Sequence, residues 1–193
     1  MNSNNTKRAV HLYLESNPNP NSLKFVANYM LLPEGMSYDF PDRTSAKDAP
    51  LAEALFEFEF VDRVFYMSNF ITVTKKGDVE WVEIKDKIKE HIQKYLESGK
   101  PIINEINKEE LFDENDSETV KKIKGILDEY IRPAVEQDGG AIAFHSYHEG
   151  VVKVLLQGSC SGCPSSTVTL KAGIENLLKR MLPEVQAVEA EGV

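Results

Sequence analysis

Cysteine and tryptophan are scarce in this chain, with two of the first and one of the second in 193 residues. Two cysteines cannot staple a chain of this length, so a disulfide scaffold is excluded. Long apolar runs are missing. The first, Ala9 to Leu14, is far shorter than the roughly 20 residues of a membrane span. The opening Met1-Asn2-Ser3-Asn4-Asn5 has no basic stretch leading into an apolar one and no Arg-rich amphipathic pattern. Neither a signal peptide nor a transit sequence is expected, and a reducing, cytoplasmic location is. Basic excess is missing too. A net charge of −9 repels nucleic acid and anionic membrane, so neither is expected as a partner. Lys121, Lys122 and Lys124 cluster, but Asp128 and Glu129 follow, and the cluster reads as a solvated helix face. There is no internal repeat and no low-complexity segment. What is present, 41% hydrophobic and 27% charged residues, is ordinary for a globular chain of one or two domains.

Val10, Leu12 and Leu14 alternate with His11 and Tyr13, which predicts a strand. The Asn17-Pro18-Asn19-Pro20-Asn21 turn cluster follows, then a second strand over Leu23 to Ala27. Asp48 is placed to cap a short helix with Pro50 near its start, running through Leu51, Leu55 and Phe56. Arg63 to Met67 and Phe70 to Thr74 form a hairpin about Ser68-Asn69. Trp81, Ile84, Ile88, Ile92, Tyr95 and Leu96 recur at helical spacing until Gly99 and Pro101. Residues 100–116 are charged and aperiodic, and read as a mobile linker. A helix then starts near Asn115, with Glu118 completing a capping box and Val120, Ile123, Leu127, Ile131 and Ala134 on its apolar face. Asp138-Gly139-Gly140 reads as a helix C-cap turn rather than a phosphate loop, since no Lys or Ser follows. A hairpin over Ala141 to Tyr147 and Val151 to Gln157 comes next. The last elements are a helix marked by Leu170, Ile174, Leu177 and Met181 and a strand over Val185 to Ala190. The expected fold class is α+β. Two small mixed domains, residues 1–99 and 117–193, flank the linker, and the second reads α-β-β-α-β.

Both cysteines lie in one tight loop, Cys160-Ser161-Gly162-Cys163. A strand leads in and Pro164, preset for a first helical position, follows. The pair therefore sits at a strand-to-helix turn, where backbone N–H groups and the positive helix end favour thiolate. Four readings compete. An iron–sulfur cluster of the 4Fe-4S type takes four thiolates, so one chain offers half a site and two chains meeting at their loops offer all of it. Such a shared site is labile, because separating the subunits halves the ligand set. Zinc across a dimer is the second reading. His145 and His148 cannot complete a single-chain zinc site, since the return strand holds them ~20 Å or more from the loop. The third reading is a dithiol/disulfide oxidoreductase, although no Trp precedes the pair and no βαβ unit leads into it. The fourth is a turn without function, which fits poorly because a structural cysteine is usually isolated and buried.

The chain resembles a known family. Residues 117 to 190 are similar to the C-terminal domain of NifU-like (Nfu-type) iron–sulfur proteins through Ile131-Arg132-Pro133, Asp138-Gly139-Gly140 and the long run Leu156-Gln157-Gly158-Ser159-Cys160-Ser161-Gly162-Cys163-Pro164-Ser165-Ser166-Thr167-Val168-Thr169-Leu170. Residues 9 to 96 resemble the N-terminal domain of many members through Asn17-Pro18-Asn19-Pro20, Leu23-Lys24-Phe25 and Phe70-Ile71-Thr72-Val73-Thr74-Lys75. Ala141 stands where an acidic residue is expected and Asn28 where a glycine is. The resemblance implies a scaffold or carrier, not an enzyme. It would hold a 4Fe-4S cluster between two subunits, receive it from upstream assembly proteins and pass it to apo iron–sulfur proteins. Cys160 and Cys163 match the family's ligand positions. Around them, Gly158 and Gly162 would permit backbone angles that let N–H groups approach the cluster sulfurs.

Overall fold

The structure is a computed structural model and describes residues 9–104, 116–161 and 164–192. It divides into two compact units, one of residues 1–16 and 21–107, the other of 17–20 and 108–193. The fold is α+β throughout.

The first unit is a five-stranded antiparallel sheet, ordered β1-β2-β5-β4-β3, with two helices. Its strands are β1 (Leu12–Ser16), β2 (Ser22–Ala27), β3 (Ser37–Phe40), β4 (Val61–Met67) and β5 (Phe70–Lys75). The β4–β5 hairpin turns on Ser68 at φ 48°, the left-handed backbone of primed hairpin turns. Side chains alternate across the pleat, so Phe25, Ile71 and Tyr66 come into line with Val73 and Val64 on one face. Helix α2 (Trp81–Glu97) sets Ile84, Ile88, Ile92 and Leu96 into that face at helical spacing, and α1 (Pro50–Leu55) adds Leu51, Ala52 and Leu55.

Two expectations change here, and one strand appears that no sequence pattern predicted. Strand β3 carried no usable pattern in four residues; it is fixed by pairing with β4 and by a buried Arg63–Asp39 ion pair at 2.7 Å. Asp48 does not cap α1. Ala49 holds that position without a side-chain bond, and the Asp48 carbonyl accepts from Asn104 N at 2.8 Å. The stretch expected as a linker begins docked, for Ile102 and Ile103 are buried in the first core and Tyr95 Oη donates to Pro101 O. Two adjacent isoleucines outweigh the charge around them, since burying each yields ~1.5–3 kcal/mol. Residues 105–115 of that stretch lie outside the described residues, as does Asn115, the expected helix start.

The second unit runs α3 (Glu118–Ile126), a π-helical turn (Leu127–Ile131), α4 (Arg132–Gln137), β6 (Gly140–His148), β7 (Val151–Gly158), α5 (Pro164–Met181) and β8 (Ala187–Gly192). Ser117, not Asn115, is the N-cap of α3, its hydroxyl accepting from Val120 N at 3.3 Å. The predicted single helix is interrupted by the π turn just before Pro133. Proline lacks an N–H and crowds the carbonyl four residues back, so the helical ladder must widen there. The extra residue rotates the buried face, and Val135 enters the core where Ala134 was expected. Among the described residues of α5, Ile174 and Leu178 are buried and Met181 is exposed. Lys124 is half-buried and paired with Asp116 at 2.5 Å rather than solvated like Lys122.

The three-stranded sheet is ordered β6-β7-β8. Glu149 (φ 47°) and Gly150 (φ 82°) make the tight β6–β7 turn. Strand β8 returns parallel to β7, with Val151 opposite Ala187. A parallel return requires a crossover, and α5 supplies it.

Candidate functional site

The end of β7 and the start of β6 meet at Gly158 and Gly140, which are register partners. This brings together two motifs well separated in sequence. Asp138 closes α4 as its C-cap, and Gly139 follows at φ 81°, so the glycine is used for the left-handed turn. Gly158 also takes positive φ, 64°, and releases the chain from β7 into the cysteine loop. The two turns are tied. Ser159 N donates to Gly139 O at 3.3 Å, and the Ser159 hydroxyl donates to Asp138 O. Ser161 N returns to Gly158 O at 3.1 Å, and Thr167 Oγ1 on α5 donates to Cys160 O at 3.4 Å. Asn19, from the segment grouped with this unit, donates its amide to Ser159 O at 2.9 Å.

Cys160 therefore sits where it was expected, between a strand and a helix, in a loop held by backbone bonds from both sides. Its exposure was not anticipated. Only 6% of the residue is open to solvent, and it packs in one core cluster with Ile123, Val135, Ile174 and Leu178. Ser159 Oγ lies 3.9 Å from its sulfur. Gly162 and Cys163 lie outside the described residues. The donor at Cys160 suits iron, since a soft sulfur on a loop opening a helix is the kind of ligand iron–sulfur cargo takes. The withdrawn position of that sulfur is the feature that fits cargo least.

His145 and His148 are exposed on β6. His148 pairs with Val151 at the hairpin turn, the length of β7 away from Gly158. The structure does not bring either to the cysteine loop. Sequence reasoning missed Ser159 and Thr167 as loop-fixing residues, and missed a second use for Gly140. The signal for Gly140 was half visible: a second glycine after a C-cap glycine has no turn to make, which points to a close approach.

A two-unit α+β chain with a CxxC loop after the central strand of its second sheet defines the class. Two family models match it, "Scaffold protein Nfu/NifU N terminal" over residues 12–99 and "NifU-like domain" over residues 123–189. The chain belongs to the NifU-like, Nfu-type family. Among relatives, the "NFU1 iron-sulfur cluster scaffold homolog, mitochondrial" of Drosophila persimilis is 47% identical over 186 residues, covering 95% of this chain and 66% of that protein. The protein of the same name from Drosophila sechellia is 45% identical over 185 residues, covering 95% and 65%. The chain thus spans just under two thirds of the length of these relatives. The solution structure of a NifU-like protein from Saccharomyces cerevisiae is 28% identical, with a TM-score of 0.46, covering 55% of this chain and 92% of that one. The expected cytoplasmic location is overturned, because the relatives that match nearly the whole chain are named mitochondrial.

Proposed function

We propose that this chain is an iron–sulfur cluster scaffold and carrier of mitochondria, with the cluster as its cargo. The observation that supports this most directly is the cysteine pair itself, Cys160 and Cys163, placed after β7 within the segment that matches the NifU-like domain. The named function of the relatives supports the same reading. Cys160 and Cys163 supply two thiolates to a 4Fe-4S cluster, and a second chain supplies the other two. Holding cargo at a subunit junction lets it be released, since parting the chains removes half the ligands at once. Upstream assembly proteins load the site and apo iron–sulfur proteins unload it. The protein catalyses no turnover of its own.

Anaerobic reconstitution with iron and sulfide tests this. Iron and sulfide should reach four of each per two chains, with a visible absorption band, and the loaded species should have twice the mass of the empty one. Cys160→Ala and Cys163→Ala should each abolish the band with the far-UV circular dichroism kept. A stable, fully loaded monomer would sink the shared site. Metal-free turnover of a protein disulfide, with no cluster formed, would replace the carrier reading by a dithiol oxidoreductase.

A further inference from the structure

The sulfur of Cys160 faces a glycine that has no room to be anything else. A Cβ built on Gly140 would stand 2.5 Å from Gln157 O, 2.9 Å from Cys160 Sγ and 3.2 Å from Cys160 N. The first of these contacts is to the backbone of β7, which is held in register with β6. The second is to the sulfur. The space a methyl group would fill at position 140 is the space against which the Cys160 side chain rests. No left-handed turn requires Gly140, because the positive φ of this region falls at Gly139 and Gly158. Gly125 and Gly173 of this unit differ, for a Cβ there would meet nothing within 4 Å.

Cargo held between two chains needs sulfurs that reach beyond their own surface. At 6% exposure Cys160 is turned into its own core. We propose that Gly140 is a positioning residue for Cys160: its missing Cβ is the seat into which the sulfur withdraws in the cluster-free chain, and loading draws the sulfur out. The inference rests on the carrier reading given above. The seat shields a nucleophile that would otherwise face oxidants whenever the protein is empty, because oxidation of a thiol follows its exposure and thiolate character. It also makes uptake a two-position event, with the ties from Ser159 to Asp138 and Gly139 holding the loop base while the side chain moves.

The test uses this 193-residue chain with Cys163→Ser, in which Cys160 is the remaining thiol, and follows its reaction with Ellman's reagent. The native chain should react about a hundredfold more slowly than the urea-unfolded chain, and adding Gly140→Ala should speed the native reaction about tenfold with the circular dichroism unchanged. Gly173→Ala should leave the rate alone. In the two-cysteine protein, Gly140→Ala should reach its full cluster absorption sooner than the parent, because its sulfur already stands out. A Cys160 as reactive in the native as in the unfolded chain overturns the seat, and so does a Gly140→Ala rate equal to the parent's. Should Gly140→Ala fail to fold, the native-to-unfolded ratio of the Cys163→Ser protein decides alone. A shielded thiol in a chain that takes up no iron overturns the carrier reading and leaves the seat standing. Iron uptake with an unshielded thiol does the reverse.

Discussion

In the first unit the space between sheet and helices is filled by Phe25, Tyr66, Ile71, Ile88 and Ile92. In the second, the equivalent space behind β7 takes in Cys160 beside Ile123, Ile174 and Leu178. The first core stops at packing. The second is continuous with the cysteine loop proposed to hold the cargo, so its packing also sets where a sulfur points. A core of hydrocarbon tolerates change by losing stability alone. One that ends in a reactive side chain converts a packing change into a chemical one. The two units therefore call for different readouts.

The largest expected separation comes from matched core deletions. Ile92→Ala and Ile174→Ala each remove a fully buried side chain and should each cost about 2–5 kcal/mol. Denaturant titration gives that number for both. Cluster content per chain should stay at the parental level in folded Ile92→Ala and fall in folded Ile174→Ala, which shares a core with Cys160. Equal cluster content in the two would erase the comparison.

Next in size is the turn that feeds β7. Gly150 stands at φ 82°, a Cβ there would meet Gln186 Cγ at 2.8 Å, and its carbonyl accepts from Gln186 N at 2.7 Å. Gly150→Ala should lose about 1–3 kcal/mol through backbone strain. Amide exchange should locate the damage on β8, whose pairing with β7 begins beside this turn. Cluster content should hold, because the damage lies at the opposite end of β7 from the loop. A drop in cluster content would show that loop and hairpin turn are coupled through the strand.

The smallest effect is electrostatic and belongs to the first unit. Burial beside Phe58 holds the His91 imidazole below its ordinary value of 6.5; Glu57 opposes the shift and Lys94 adds to it. The unfolded chain therefore takes up that proton first as pH falls. Stability should decline from about 6.5 downward, a change absent from His91→Gln. Melting curves taken about one unit above and one unit below that value decide it. An unchanged slope in His91→Gln would assign the pH dependence elsewhere.

Much of this molecule was legible because its determinants are local. The β4–β5 and β6–β7 hairpins are written in alternation and in residues that accept positive φ. Helix α2 is written in its 3.6-residue spacing, and the strand-to-helix site of Cys160 in a β run followed by Pro164. Local rules weakened where a non-local event intervened. The π turn before Pro133 moved the buried face from Ala134 to Val135, and β3 exists because β4 offers it an edge and Arg63 offers Asp39 a partner.

Sequence alone determined that this is an α+β chain with one paired-thiol loop and no second set of cysteines, since spacing, turn chemistry and residue counts need no coordinates. Tertiary structure alone decided that the Asp138–Gly140 turn and the Gly158–Cys160 loop are one construction, and that Cys160 rests against Gly140 with its sulfur inward. The physical reason is that close approach depends on which strands pair and in what register. Register is settled by the packing of whole faces, a property no short stretch of chain contains.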